Sequence, residues 1–297
     1  MSEQAIDQDR ERDWRTKLIN PVLNKEFRLR MRSPRAMWTL FFYLFAIGLM
    51  ALSAIYLSQE VSGSGSAFNP EISRLLFQFL SMAQLGLIAL MAPGLTAGVI
   101  SGEREKQTLN LLLTTQQSSA TIILSKLVSS LSFMVLIVIS TLPIYSMMFL
   151  YGGVSPKQLL LVFLFYVFIM IVLGSFGVLF STLLKRTMIS VIATYGVALF
   201  IFVGTVIIYF VALAVVQSQY NYNSSWVGHI LAWNPAVALY SILDPSISDQ
   251  VFSRFRWSGQ AGAAPMPLWV EFIIIYAVLA ALSLWLAIRG LRPRRKV

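Results

Sequence analysis

The sequence predicts an all-α polytopic membrane protein with six transmembrane helices. Apolar residues make up 57% of its 297 residues and charged residues only 12%, and the mean hydropathy is +0.72. A soluble domain of ordinary composition has roughly 25% charged residues. Several uncharged runs also exceed the roughly 20 residues that an α-helix needs to cross a ~30 Å hydrocarbon core. Basic residues, finally, are concentrated in alternate connecting segments.

The six predicted spans are separated by short polar segments. The first begins only after 36 residues, which is later than the apolar region of a secretory signal peptide, so we expect it to remain as a membrane anchor. The predicted spans are Met37–Leu57, Leu75–Ile100, Lys126–Tyr151, Gln158–Leu184, Met188–Val216 and Leu268–Ile288.

Lysine and arginine determine the predicted orientation, because the cytoplasmic segments of membrane proteins carry the excess of basic residues. If the N-terminus is cytoplasmic, the inner segments hold 19 of the 23 basic residues and have a net charge of +11, against −1 outside. The sequence therefore predicts that both termini are cytoplasmic. Contact with anionic inner-leaflet lipid explains the overall charge of +10 better than nucleic-acid binding does.

Both ends of the chain are predicted to lie on the cytoplasmic side. Residues 1–17 are polar and of mixed charge, which indicates a flexible tail. Residues 18–36 are predicted to form an amphipathic helix at the inner headgroups, because their basic residues lie away from one apolar side. That apolar side consists of Val22, Leu23, Phe27 and Met31. Residues 289–297 form a basic cytoplasmic tail.

The cytoplasmic loop 101–120, "SGEREKQTLNLLLTTQQSSA", is predicted to contain a short amphipathic helix with an acidic leading end. Ser101 and Gly102 can end one helix and start another, and Glu103 and Glu105 then occupy a first helical turn, where acids favour the helix dipole. One face of this helix is apolar at i, i+3 and i+4, and consists of Leu109, Leu112 and Leu113. The helix either lies in the headgroups or docks on a cytoplasmic protein. Interfacial lipid-binding helices are rich in Lys and Arg, and this one is nearly neutral.

Small residues mark candidate contacts between helices. Gly94, Gly98 and Gly102 recur every four residues, and Gly177 and Ser181 repeat the spacing in span four. Such spacing lets helix backbones approach closely, either within one bundle or along a transport path. Pro143 lies within span three and is predicted to kink it.

The outer segment 217–267 contains three of the seven tryptophans, a residue that favours the membrane interface. Its stretch "WVGHILAWNPAVALYSIL" (226–243), which includes Trp233, is predicted to be a short helix or re-entrant hairpin in the outer leaflet, broken at Asn234–Pro235. Residues 258–267 are predicted to form a flexible linker.

The composition argues against several kinds of chemistry. The chain has no cysteine and a single histidine, His229, which we interpret as an interfacial residue, so we predict no catalytic, cofactor-binding or metal site. Met37–Leu57, Gln158–Leu184 and Met188–Val216 contain no Asp, Glu, Lys or Arg. Ion-coupled carriers keep a charge within the membrane because it performs the coupling. The energy for transport is therefore expected from outside the membrane, and an enzyme is not expected.

Four stretches in order resemble the ABC-2 type transporter permeases. "GEREKQTLNLLLTT" (102–115) resembles the cytoplasmic loop of that family, although the proline that often follows the Thr pair is replaced here by "QQSS". The other three are similar to its N-terminal amphipathic element, its third span with the following outer turn, and its outer segment. They are "NPVLNKEFRLRMRSPR" (20–35), "LPIYSMMFLYGGVSP" (142–156) and "AWNPAVALYSIL" (232–243).

The resemblance implies that the loop contains a coupling helix seated on a separate ATP-hydrolysing subunit. The implied coupling residues are Gly102, Glu103, Arg104, Glu105, Thr108, Leu109, Leu112, Leu113, Thr114 and Thr115. Among these, Glu103 and Glu105 are expected to meet basic groups of the ATPase. Spans two and five border the path in this family, so Gly94 and Gly98 are expected near moving parts.

The resemblance also implies the partners. Two ATPase subunits would bind ATP and Mg²⁺, and a second permease copy or a paralogue would complete the path. No G-x-x-x-x-G-K-[ST] phosphate loop occurs in this chain. We therefore expect a bacterial plasma-membrane permease, an exporter. The alternative is an ion-coupled secondary transporter, or another polytopic membrane protein without an ATPase.

Overall fold

A computed structural model of the chain describes residues 34–62, 70–109, 118–150, 152–218, 226–253 and 266–291. All regular elements within these ranges are helical, which confirms the all-α prediction for this part of the chain. The predicted tail 1–17, most of the interfacial helix 18–36 and the residues after Leu291 lie outside the described ranges.

The described helices follow one another with short connections. A π-helical turn, Phe200–Gly204, joins two of them into one longer run. In chain order they are α1 (Pro34–Ser62), α2 (Pro70–Thr96), α3 (Ser101–Glu105), α4 (Ser119–Ile139), α5 (Leu142–Leu150), α6 (Pro156–Leu183), α7 (Thr187–Leu199), α8 (Thr205–Ser218), α9 (Trp226–Leu231), α10 (Pro235–Leu243), α11 (Ser246–Ser253) and α12 (Leu268–Leu291).

Five helical runs in the described residues are long and apolar enough to cross a membrane, and they are centred on α2, α4, α6, α7 with α8, and α12. The protein is therefore a multi-pass membrane protein. In α1 the apolar stretch Met37–Ser53 is shorter than the 18 residues that we take as the minimum length of a span. The structure thus supports five of the six predicted spans by length and composition, and the first stays a prediction.

The third predicted span differs in detail from the prediction. Its helix α4 begins at Ser119, well before the predicted Lys126, because the Ser118 hydroxyl caps it by accepting the N–H of Thr121 at 3.1 Å. The run is interrupted at Ser140–Thr141, and α5 starts immediately before Pro143. The predicted kink is therefore present as a break between two helices.

Helix α6 is the centre of the bundle and packs against α2, α4, α7, α10 and α12. Aromatic side chains fill its contact with α12, where the rings of Phe165 and Phe272 lie 5.5 Å apart and Phe272 stacks on Tyr276 at 4.3 Å. Helix α1, by contrast, exposes the side chains of Trp38 and Phe41 on the surface of the bundle. A large exposed apolar surface is expected where lipid is the solvent.

The two ends of the bundle are distinct. At one, which we call the α3 end, the residues on either side of α3 pack against the start of α4 and the ends of α6 and α12, around the buried residues Ile100, Ile123, Val178 and Ala287. At the other, which we call the α10 end, Gln158 donates to the carbonyl of Leu243 at 2.7 Å. Arg74 forms an ion pair there with Asp244 at 3.5 Å.

Candidate coupling site at the end of the second span

Helix α2 does not continue directly into α3. It contains Pro93, ends at Thr96 and is followed by a turn over residues 97–100. The N–H groups of Ile100 and Ser101 donate to the hydroxyl oxygen of Ser181, at 2.8 and 2.9 Å. A buried N–H without a partner is costly. One side chain of α6 therefore satisfies two donors at the point where the helix is interrupted.

Glycines allow α2 to approach α6 and α7 closely. A Cβ at Gly177 would overlap the side chain of Thr96, and one at Gly94 would lie 3.1 Å from the hydroxyl of Tyr195. One at Gly98 would lie 3.1 Å from Cγ2 of Thr187. The structure therefore places the predicted small-residue positions in contacts between helices of this chain.

Glu103 forms an ion pair with a lysine at the start of span three. Its Oε1 accepts from Nζ of Lys126 at 3.2 Å, and its Oε2 accepts from the hydroxyl of Thr108. Lys126 is only 5% exposed. A buried cation requires a counter-charge, and the Glu103 carboxylate supplies one. The contact joins α3 to α4.

Arg104 and Glu105 contact the ends of two further helices. Arg104 donates to the carbonyls of Thr182 at 3.1 Å and Leu184 at 3.4 Å, where α6 ends. Glu105 accepts the N–H of Thr187 at 2.7 Å, where α7 begins. The N-cap residue of α7, Arg186, makes no side-chain hydrogen bond to the helix, so Glu105 takes the place of a cap. The last carbonyls and first N–H groups of a helix have no partner within it and carry partial charges, so a cation and an anion respectively are favourable.

These contacts define what we call the α3 cluster: the three consecutive residues Glu103, Arg104 and Glu105 together with Lys126, Thr182, Leu184 and Thr187. Sequence reasoning did not find its pairing. A lone lysine at the start of an otherwise uncharged span, which requires a counter-charge, was the available signal. For Ser181 the sequence indicated only its small size.

The two acidic residues of the α3 cluster, Glu103 and Glu105, lie outside the predicted second span, which ends at Ile100, and both have lowered pKa values. Burial raises the pKa of Glu103, but the Thr108 hydroxyl and the Lys126 ammonium group lower it more, so the net pKa is below the ordinary value for glutamate. The pKa of Glu105 is also lowered, chiefly because its carboxylate accepts the backbone N–H of Thr187. Both groups are therefore charged at neutral pH.

The prediction of one continuous helix from Glu103 through the leucines is wrong in its first part. Helix α3 ends at Glu105, and Gln107 has a left-handed backbone conformation with φ of 60°. The N–H of Thr108 donates to the carbonyl of Glu103 at 3.0 Å, and the Thr108 hydroxyl oxygen lies 3.2 Å from the same carbonyl oxygen, which fixes the turn. Leu109 is buried in the apolar cluster of the α3 end. Leu112, Leu113, Thr114 and Thr115 lie outside the described residues.

At the α10 end, the predicted break at Asn234–Pro235 is confirmed. Asn234 is fully buried, and its Oδ1 accepts the N–H groups of Ala236 and Val237 at 2.8 and 3.2 Å as the N-cap of α10. Its Nδ2 donates to the carbonyl of Phe202 at 2.7 Å and to the hydroxyl of Thr205 at 2.9 Å. Asn234 therefore joins α10 to the π-helical turn of the fifth span.

Two further contacts hold this segment to α12. The carbonyl of Trp233, whose side chain is exposed, accepts the hydroxyl of Tyr276 at 2.9 Å. His229 lies 2.9 Å from the carboxylate of Glu271. Sequence reasoning missed this pair because the two residues are far apart in the chain. Within the described ranges, no group of three or more His, Asp or Glu residues is placed to bind a metal ion.

Comparison with known families covers almost the whole chain. The family model described as ABC-2 family transporter protein matches residues 20–289. The matched region includes the α3 cluster and Asn234. Among curated proteins, no match was found.

Proposed function

Because this chain belongs to the ABC-2 family of transporter proteins, we propose that it is the permease subunit of an ATP-driven exporter whose ATPase is a separate subunit. The sequence contains no phosphate-binding loop, which supports the assignment of ATP and Mg²⁺ to the partner. Two ATPase subunits and a second permease, either an identical copy or a paralogue, complete the transporter.

We assign the α3 end to the cytoplasm, with six spans and both termini inside, at a bacterial plasma membrane. Charge supports this orientation, because cytoplasmic ends carry the basic excess. Six described basic residues lie at or near the α3 end, namely Arg104, Lys106, Lys126, Lys185, Arg186 and Arg289. Arg74 and Lys157 lie at the α10 end, together with the acidic residues Glu71, Asp244, Asp249 and Glu271.

The observation that carries the proposal is the attachment of the "GEREKQT" segment to the bundle. Its first residues contact α4, α6 and α7, and it then turns outward through the exposed residues Lys106, Gln107 and Thr108. A segment that is fixed to three spans and exposes residues 105–108 suits the transfer of force from an ATPase. We assign the coupling role to residues 102–115 as a whole.

The ion-coupled alternative has one contact in its favour, the His229–Glu271 pair. The pair lies at the α10 end, and the His229 side chain is 43% exposed. Deeper in the bundle, Gln84 and Thr141 pair with each other at 3.1 Å and carry no charge. ATP-driven transport therefore agrees better with the described residues.

Co-purification with the cognate ABC ATPase tests the proposal. We expect wild-type chain to bind the ATPase and the chain alone to hydrolyse no ATP. A Lys106→Glu variant should lose ATPase binding, because the change reverses an exposed charge within the coupling segment. Lys185→Glu is the matched control, with the same change at an exposed residue outside that segment. Transport driven by a pH or sodium gradient without any ATPase would contradict the proposal.

A further inference from the structure

We propose that Glu103, Arg104 and Glu105 are positioning residues, which transmit movement of the segment after α3 to helices α4, α6 and α7. This inference rests on the proposed function, since the ATPase supplies the movement. It departs from the sequence-based expectation that the two glutamates contact the ATPase themselves.

The carboxylate of Glu103 is occupied within the chain. Oε1 accepts from Lys126 and Oε2 accepts from Thr108, so both oxygens already have partners. Withdrawal of Glu103 toward another protein would leave the ammonium group of Lys126, which is 5% exposed, without this counter-charge. Because separating the partners of a largely buried ion pair is costly, the Glu103–Lys126 pair is expected to move as a unit.

The chain that leaves α3 is fixed to the same residue. Thr108 donates its N–H to the Glu103 carbonyl and its hydroxyl to the Glu103 carboxylate, and the left-handed Gln107 closes the turn between the two residues. Displacement of the exposed residues after Glu105 is therefore passed to Glu103 and then to α4. Hydrogen bonds and ion pairs between rigid elements are a physical means of such coupling.

Arg104 and Glu105 add contacts with two other helices. Arg104 holds the last carbonyls of α6, and Glu105 holds the first N–H of α7. Ser181 fixes the start of α3 to α6 as well. Three consecutive side chains thus contact three different helices, so the role of each can be tested through the helix that it contacts.

Single cysteines in this cysteine-free chain provide the measurement. Ser119→Cys reports on the start of α4, and Met188→Cys reports on the first turn of α7. The complex with the ATPase is placed in nanodiscs, and the rate of maleimide labelling is measured without nucleotide and with ATP plus vanadate. We expect a nucleotide-dependent change of rate at both positions in otherwise wild-type protein. No change at either position would overturn the inference, because α4 and α7 would then not respond to the ATPase.

Two variants separate the paths. Glu103→Gln should abolish the response at Ser119→Cys and leave that at Met188→Cys. Glu105→Ala should do the reverse, and it removes an exposed carboxylate, so it serves even if Glu103→Gln fails to assemble. The charge swap Glu103→Lys with Lys126→Glu should restore the α4 response. A purely structural defect would weaken both responses together.

ATPase binding distinguishes failure of this inference from failure of the proposed function. Both variants should retain the ATPase at the wild-type level. Loss of the ATPase from Glu103→Gln and Glu105→Ala would show that these side chains dock on the partner, which overturns the positioning role and leaves the proposed function standing. Failure of the wild-type chain to bind the ATPase would overturn both.

Discussion

Gly177 shows how a single residue sets the distance between two helices. It faces Thr96 of α2, whose hydroxyl donates to the carbonyl of Ala92 at 2.7 Å and whose side chain is fully buried. Any Cβ at residue 177 would overlap that side chain and approach the backbone nitrogen of Ala97 to 3.2 Å. Neither neighbour can move easily, since one is held by a hydrogen bond and the other is backbone.

At this scale we predict that Gly177→Ala destabilises the protein by about 1–3 kcal/mol, because the added methyl group must displace packed atoms. Thermal unfolding in detergent measures the effect. Gly86→Ala is the matched control, because residue 86 is also helical but exposed, and its Cβ would meet no atom within 4 Å. The control should be neutral or stabilising by up to ~1 kcal/mol, since alanine favours helix. Equal effects of both substitutions would refute the packing role.

Helix α10 illustrates how a short element is fixed within the bundle. Residues Ala238 and Leu239 are fully buried, and the helix packs against α6 and α12. Its N-terminus meets the π-helical turn of the fifth span, which presents the Phe202 carbonyl to the amide of Asn234. Asparagine supplies an acceptor for the cap and donors for the turn, and no aliphatic residue can satisfy both.

At the element scale we predict a graded loss of stability at Asn234. Asn234→Ser keeps a capping oxygen but loses the amide donors, and Asn234→Ala loses both. The step from Ser to Ala should cost about 0.5–2 kcal/mol, which is the usual contribution of an N-cap. Thermal unfolding measures the order.

Ser155→Ala is the matched control for that series, because Ser155 caps α6 by accepting the N–H of Gln158 at 3.2 Å and is exposed. The Ser155→Ala substitution should lower the free energy of unfolding by no more than the about 0.5–2 kcal/mol that an N-cap usually contributes. If Asn234→Ser and wild type unfold at the same temperature, the contact between α10 and the π-helical turn contributes nothing.

The whole molecule is a bundle around α6 with two chemically different ends. The α3 end gathers basic residues and the charged contacts of the α3 cluster, and the α10 end gathers acidic residues and the short helices α9, α10 and α11. Between them the described core is apolar or neutral, as the Gln84–Thr141 pair illustrates. Such an arrangement suits a membrane protein whose energy source lies outside the bilayer.

At the scale of the molecule we predict its orientation. Cysteines introduced at Ser64 and Ser258, both outside the described residues, should be labelled from outside intact cells. A cysteine at Ser119 should be labelled only after the membrane is opened, if the basic α3 end faces the cytoplasm as we propose. Labelling at Ser119 in sealed cells would reverse the orientation and remove the α3 cluster from reach of an ATPase.

Much of the fold could be predicted from the chain because its solvent is a bilayer. Length and hydropathy were enough to predict an all-α multi-pass protein, and the prolines were enough to predict the break at Asn234–Pro235 and the interruption near Pro143. The first span and the leucine-bearing part of the coupling segment stay predictions. The continuous helix after Glu103 was wrong, because local spacing cannot anticipate the turn that Thr108 makes onto the Glu103 carbonyl.

The amino-acid sequence was enough to predict a multi-pass membrane protein, because the cost of placing charge in hydrocarbon depends on the type of residue. It also indicated the family, through motifs that are contiguous in the chain. The partners of Glu103, Glu105 and His229, by contrast, depend on how the helices pack. Those partners are Lys126, Thr187 and Glu271, residues that are remote in sequence and adjacent only when the helices pack. Pairwise contacts between distant segments depend on helix packing, which composition and periodicity do not encode.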